Sequence, residues 1–95
     1  MGEFAGLAAS EVSLGMAQYF FDLRSGEIFS SDEDGIELSD AGEAHAMSLS
    51  ALVEAARDAV MEGTINQHFS VEVRNGTGPV LEVAAVFHSK IFRTQ

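Results

Sequence analysis

Residues 40–61, with the sequence DAGEAHAMSLSALVEAARDAVM, predict a single amphipathic helix. Asp40 is the expected N-cap, Glu43 stands at the capping-box spacing, and Gly63 is the expected C-terminal stop. At about 100° per residue the apolar side chains form one stripe, with His45 at its edge, where we expect it to pack. The stripe comprises Ala46, Leu49, Leu52, Val53, Ala56, Ala59 and Val60.

Strand-like segments lie on both sides of this helix. Residues 18–23 are rich in aromatic side chains, and a Gly-containing turn allows residues 27–30 to return as a second strand. Residues 69–74 alternate apolar and polar side chains. After a turn-rich sequence, Leu81, Val83, Ala85 and Phe87 are expected on one face of a last strand, in alternation with Glu82, Ala84, Val86 and His88. The order β-β-α-β-β predicts an α+β domain with a single antiparallel sheet and one helix packed across one face. The face toward the helix is expected to carry Tyr19, Phe21, Phe69, Val71, Val73, Leu81, Val83 and Phe87.

The register of the last hairpin decides whether two histidines meet. If Arg74 faces Glu82, then His68 lies opposite His88, whereas the other register pairs Glu72 with Glu82. Like charges directly opposite each other are unfavourable, so we predict the first register. Two imidazoles side by side are candidate ligands for zinc or nickel, although a third ligand is missing. A small metal-binding protein is therefore one alternative.

The composition argues against several classes of function. The 95-residue chain carries fifteen acidic and five basic residues, a net charge of −10. This charge argues against binding to nucleic acids and anionic membranes, because Lys and Arg supply most of that affinity. The chain has no Cys, and it has neither a nucleophile elbow nor a phosphate-binding Gly-rich loop. We expect a protein that is not an enzyme and uses no cofactor.

The length allows one domain. Residues 1–15 are rich in Gly, Ala and Ser and are expected to form a flexible N-terminal extension, with the domain spanning residues 16–95. No Lys or Arg precedes Arg24, so a secretory signal is not expected, and the longest uncharged run is too short for a membrane span. The expected compartment is the cytoplasm.

An acidic segment between the second strand and the helix is a candidate calcium site. If Gly35 takes the invariant sixth position of an EF-hand loop, Asp32 and Asp34 fall at positions three and five. Ser30 and Ala41 would then occupy the first and last positions, where Asp and a bidentate Glu are needed. The motif fails, and a solvated loop leading into the helix is the better interpretation.

Several groups of residues together resemble a known family. They are the run 19–23 (YFFDL), the run 32–38 (DEDGIEL), the Ala-rich helix ending at 55–58 (AARD), and the strands at 71–74 (VEVR) and 79–83 (PVLEV). This combination is similar to a family of small bacterial proteins of unknown function, and the resemblance implies no activity. A fainter likeness to HicB-type antitoxin domains is architectural.

The sheet face turned away from the helix is expected to be partly apolar, which favours an interaction module that forms a homodimer by packing sheet faces or sheet edges. The alternative in a different class is an antitoxin-like regulatory domain whose acidity attracts a basic partner protein. The candidate interface residues are Phe20, Val80, Ala84 and Val86.

Overall fold

The computed structural model describes residues 16–63 and 66–93, and the predicted N-terminal extension, residues 1–15, lies outside this part of the chain. It shows one helix packed against one antiparallel sheet, which confirms the α+β prediction. The elements in chain order are β1 (Ala17–Ser25), β2 (Ile28–Ser30), β3 (Ile36–Leu38), α1 (Ala41–Met61), β4 (Gln67–Asn75) and β5 (Gly78–Phe87).

The sheet has the strand order β2-β1-β4-β5. The short strand β3 is additionally paired with the first three residues of β1. Strand β3 differs from the sequence prediction, which gives a loop for the whole acidic segment. Ile36 and Leu38 alternate with Glu37, and this short alternation supports pairing with residues 17–19. The strand β2 predicted at residues 27–30 is confirmed at Ile28–Ser30.

Helix α1 begins and ends where the sequence predicts. The Oδ1 atom of Asp40 accepts a hydrogen bond from Glu43 N at 2.9 Å. In a standard capping box the side chain of Glu43 would accept a hydrogen bond from the backbone N–H of the N-cap residue Asp40. Here Glu43 Oε1 accepts instead from N and Oγ of the preceding residue, Ser39, at 2.9 and 2.8 Å. Gly63 follows the helix with φ +98°. Within residues 16–63 and 66–93, no helix is long and apolar enough to cross a bilayer.

The buried stripe of α1 differs from the predicted one. The helix buries Ala44, Ser48, Leu52 and Ala56, while His45 and Val53 are exposed. Small side chains let the helix approach the sheet closely, and the hydroxyl of Ser48 is satisfied by the carbonyl of His45 at 2.7 Å. The helix is therefore rotated relative to the predicted stripe. The predicted members that are exposed are Ala46, Leu49, Val53 and Val60.

The core lies between α1 and the central strand β4. Phe69 and Val73 have no exposed surface and Val71 almost none, because β4 has a neighbour on each edge and the helix above it. Each such side chain contributes on the order of 1.5–3 kcal/mol of transfer free energy. The predicted helix-facing residues Tyr19, Phe21, Leu81 and Val83 pack in the same cluster.

The hairpin register differs from the predicted one. Glu72 pairs with Glu82, and His68 pairs with Val86. The prediction was wrong because it considered only the β5 neighbour of Arg74. Arg74 lies in a central strand, and its charge is neutralised by a carboxylate of β1 on the other side. Both glutamates are exposed, so water screens their repulsion.

Candidate functional site

The sheet face opposite α1 carries a row of three carboxylates. The register of the central strands aligns Asp22 of β1, Glu72 of β4 and Glu82 of β5. Glu72 and Glu82 are exposed, whereas Asp22 is only 5% exposed. A buried carboxylate is costly unless it is paired and hydrogen-bonded, so Asp22 requires partners on this face.

Arg74 and the loop after β2 supply these partners. Arg74 Nε donates to Asp22 Oδ2 at 2.8 Å, and Arg74 Nη2 lies 3.3 Å from Asp22 Oδ1. The same Nη2 donates to the carbonyl oxygen of Asp32 at 2.9 Å. Asp32 N in turn donates to Asp22 Oδ1 at 2.9 Å. Asp22 thus links β1 to β4 and to the acidic loop. Asp22 is the single acidic residue among the apolar side chains of residues 19–23, and this placement is the sequence signal for its structural role.

The carboxylate of Asp32 is also built into the fold. Its Oδ2 accepts from Phe21 N at 3.0 Å, at a point of β1 between the stretches that pair with β2 and β3. Its Oδ1 accepts from Asp34 N and Gly35 N at 3.0 and 3.1 Å. Asp32 therefore substitutes for a strand partner, and the predicted solvated loop is an ordered turn at this residue.

These contacts set the charge of both aspartates. The hydrogen bond from Arg74 lowers the pKa of Asp22, while burial opposes the shift. The hydrogen bond from Phe21 N lowers the pKa of Asp32, burial opposes it, and the N–H groups of Gly35 and Asp34 add to the lowering. A carboxyl group that acts as a general acid near neutral pH needs a raised pKa. The network is therefore suited to holding structure rather than to proton transfer.

Phe20, one of the predicted interface residues, is half-buried within this network. The guanidinium carbon of Arg74 lies 4.6 Å from its ring centroid. Gly35 approaches from another side with φ +72°, and a Cβ there would lie 2.8 Å from Phe20 Cε2. Arg24 stacks in the same way on Phe29, at 4.8 Å. Phe20 is thus a packed element of the outer face.

The other predicted interface residues divide between core and surface. Val73 pairs with Leu81 and Arg74 pairs with Pro79, which leaves Val80 as the extra residue of a bulge in β5. Val80 is half-buried and packs against the core cluster. Ala84 and Val86 are exposed, Val86 by 67%. Both of these exposed residues belong to β5.

The two histidines proposed as metal ligands are not cross-strand partners in the structure. His68 faces Val86 across the hairpin, and His88 follows the end of β5. The register on which their pairing rested is therefore wrong. Among residues 16–63 and 66–93, no group of three or more His, Asp or Glu side chains is placed to hold a metal ion.

Strand β5 forms one edge of the sheet. Its backbone pairs with β4 on one side, and on the other side its N–H and C=O groups have no neighbouring strand within the described residues. Sheets protect such edges with charges, proline or bulges. Pro79 and the bulge at Val80 protect the beginning of β5, but residues 81–87 (LEVAAVF) carry a single charge, on Glu82. This segment is a weakly protected edge.

An apolar groove runs along the same flank of the domain. It has a volume of about 220 Å³ and lies between α1 and β5, where Val53 and Ala56 face Ala85 and Phe87. Leu49 and Val60 are exposed and project within about 40° of Val53 around the helix. Three apolar members of the predicted stripe, Leu49, Val53 and Val60, thus lie on an exposed flank of α1 instead of in the core. The full lining of the groove is Leu52, Val53, Ala56, Arg57, Ala85 and Phe87.

A second cavity of about 510 Å³ lies where the β1–β2 turn, the end of α1 and the start of β4 meet. Gln67 Nε2 donates to Ser25 Oγ at 2.6 Å within its lining, and Gly26 N donates to the carbonyl of His68 at 2.9 Å. These polar groups satisfy one another. The lining also includes Glu27, Glu62 and His68.

The geometry defines a small α+β domain with one helix-covered sheet face, an Asp–Arg pair on the other face and a weakly protected edge strand. Residues 18–86 match the model of a family described as a domain of unknown function (DUF6894), and the chain belongs to this family. The resemblance to a small family of unknown function is thereby confirmed. No curated protein and no solved structure matches the chain, and the family match provides no link to HicB-type antitoxins.

Proposed function

We propose that this domain is a protein-interaction module without enzymatic activity, and that it associates with a second copy of itself through the free edge of β5. The observation that carries the proposal is that the unpaired edge and the apolar flank of α1 are continuous. The groove beneath Val53 is bounded on its other side by Ala85 and Phe87 of β5. One partner can therefore cover both surfaces at once.

The edge favours a strand as the partner. An edge with unpaired N–H and C=O groups and few charges is a template for a further strand. Residues 81–87 have six apolar side chains and the one acidic residue Glu82. A second copy offers an identical edge, and two identical strands in antiparallel order satisfy each other's hydrogen bonds by symmetry.

The helix flank supplies the apolar area that such a contact needs. Val53 is 65% exposed, and Leu49 and Val60 are exposed beside it. Contiguous apolar surface on a small domain is typical of an association site. A second strand on β5 brings the second copy close to these three side chains.

Two features support a role other than catalysis or charge-driven binding. The two aspartates with shifted pKa values are held in their charged form by hydrogen bonds within the fold. The exposed acids are distributed over loops, helix and sheet, as Glu33, Glu54, Asp58 and Glu72 illustrate, so they define no single surface for a basic protein.

Sedimentation equilibrium or light scattering tests the proposal. We expect the wild-type chain to be dimeric at about 100 µM, and Ala84→Lys to raise the dissociation constant by tenfold or more, about 1.4 kcal/mol, because a lysine in the middle of an edge segment opposes the addition of a further strand. Ser30→Lys is the matched control, since Ser30 is an exposed residue of β2 with the same change in charge. A wild-type monomer at this concentration, or equal effects of the two variants, would contradict the proposal.

A further inference from the structure

Resting on the proposed self-association, we infer that the two-fold axis of the dimer passes between Ala84 and the same residue of the second copy. The two β5 strands then form the centre of one continuous sheet, and the two α1 helices pack together on one face of it. The partner at this edge is a second copy of the chain in a defined register.

Symmetry limits the possible registers. Residues directly opposite each other in an antiparallel pair point to the same face of the sheet. A two-fold axis that relates neighbouring strands is perpendicular to the sheet and keeps each copy's helix on the same face. Neighbouring residues of a strand point to opposite faces, so a residue can be opposite only a residue that lies an even number of positions away in the other copy. The axis therefore passes through a position at which one residue of β5 faces the same residue of the second copy.

The regular part of β5 identifies this residue. The bulge at Val80 and the missing N–H of Pro79 disturb the pairing at the beginning of the strand. The regular segment is therefore residues 81–87, and Ala84 is its midpoint. An axis at Ala84 pairs the whole of this segment with its copy, whereas an axis at Val83 draws Pro79 into the pairing.

The charge on β5 favours the same position. An axis at Glu82 would place two carboxylates directly opposite each other, which is unfavourable. With the axis at Ala84, Glu82 faces Val86 of the second copy. The two Glu82 residues are then four positions apart along the strands, roughly 14 Å.

The helices explain why the flank of α1 is apolar. Helix α1 lies mainly over β4 and β5, about one strand spacing, 4.8 Å, from the inferred axis. The two helix axes are then roughly 10 Å apart, which is the separation of packed helices. Leu49, Val53 and Val60 lie on the flank that faces the second helix.

Disulfide formation between single-cysteine variants tests this register, because the chain has no Cys of its own. Residues opposite each other have Cα atoms about 4.5–5.5 Å apart, within the range that a disulfide spans. We expect Ala84→Cys to form a covalent dimer under mild oxidation, while Glu82→Cys and Val86→Cys do not when each is oxidised alone. A mixture of Glu82→Cys and Val86→Cys should form the mixed dimer. All three side chains are exposed, so each variant is expected to keep the fold, which circular dichroism checks.

The outcomes separate the inference from the proposed function. A mixed disulfide between Ala84→Cys and Glu82→Cys would move the axis to Val83 and overturn the inference while leaving self-association intact. A dimer by sedimentation without any of these disulfides would place the interface elsewhere and overturn the inference. A wild-type monomer would overturn both.

Val86→Lys provides a second measurement. With the axis at Ala84, the introduced ammonium faces Glu82 of the second copy, so the dimer should be at least as tight as in the wild type. If the outer sheet faces packed together instead, the same substitution would bury a charge and weaken the dimer by tenfold or more, about 1.4 kcal/mol. Dissociation by Val86→Lys would therefore contradict the inferred register.

Discussion

Arg74 and Asp22 are 52 positions apart in the chain, and they form an ion pair of 2.8 Å across β1 and β4 on the face opposite the helix. The pair connects the first and fourth strands and holds the acidic loop through Asp32. It also explains why the last hairpin tolerates two glutamates opposite each other. The arginine that could have neutralised Glu82 is engaged on the other side of its own strand.

We expect Arg74→Met to lower the urea midpoint more than Arg24→Met does. Both variants remove one positive charge and one stacking contact with a phenylalanine. Only Arg74→Met also leaves the carboxylate of Asp22 buried without a cation, and breaking a buried pair in this way is strongly destabilising. The double variant with Asp22→Asn should recover part of the loss, because no charge is then left buried. Equal midpoints for the two arginine variants would show that the ion pair contributes nothing.

Acid should remove the stabilisation that Asp32 provides. Its pKa in the folded protein lies below the ordinary value of 3.8, so its contribution is complete above that value and is lost as the pH falls through the folded-state pKa. We expect the unfolding free energy of the wild type to fall more steeply between about pH 5 and pH 2 than that of Asp32→Asn. Urea titrations at each pH measure the difference.

Asp34→Asn is the control for this experiment. Asp34 is exposed, and its carboxylate accepts no hydrogen bond from the described residues. Its replacement changes the charge by the same amount two positions away. If Asp34→Asn flattens the pH dependence as much as Asp32→Asn does, the hydrogen bonds to Asp32 are not the cause.

Gly35→Ala should destabilise the domain by about 1–3 kcal/mol. Gly35 has φ +72°, and an added Cβ would lie 2.8 Å from the ring of Phe20 and 3.0 Å from the carbonyl oxygen of Tyr19. Gly76→Ala is the matched control, because nothing lies within 4 Å of a Cβ there. Thermal or urea unfolding provides the comparison, and similar stability of the two variants would disprove the close approach at Gly35.

The rotation of α1 predicts unequal losses of stability when the adjacent residues Leu52 and Val53 are replaced by alanine. Leu52 is 5% exposed, and Leu52→Ala should cost about 2–4 kcal/mol because it leaves a cavity in the core. Val53→Ala should change the stability of the monomer by less than about 0.5 kcal/mol. Urea unfolding at low micromolar concentration, where association contributes least, measures both. A loss at Val53 as large as that at Leu52 would show that Val53 is buried, as the sequence prediction had it.

The observed register predicts which cross-strand signals appear in NMR spectra. Backbone nuclear Overhauser effects should connect His68 with Val86, and none should connect His68 with His88. Zinc added to the protein should not shift the two imidazole signals together, because the rings do not share a site. A joint shift at low zinc concentration would instead support the paired-histidine hypothesis.

Local sequence determined the elements that depend on near neighbours. The helix ends follow from Asp40, Glu43 and Gly63, since caps act through hydrogen bonds within a few residues. Strand β1 follows from its aromatic-rich composition, β4 from the alternation of apolar and polar side chains, and β5 from the turn-rich sequence before it and the apolar residues at every second position. The α+β class follows from the order of these elements. The family relationship could likewise be proposed from runs such as YFFDL at residues 19–23.

The rotation of the helix, the hairpin register and the position of β5 depend on contacts between segments that are distant in the chain. The rotation of α1 follows from how closely Ala44 and Ser48 allow the helix to approach the sheet, and the helical period alone favoured the larger side chains. The hairpin register follows from the partner of Arg74 on β1, which analysis of the hairpin by itself does not include. The order of the strands leaves β5 at the edge of the sheet, so its outer N–H and C=O groups have no neighbouring strand within the described residues. The sequence specifies which side chains are available, but contacts between distant segments determine which of them remain unpaired.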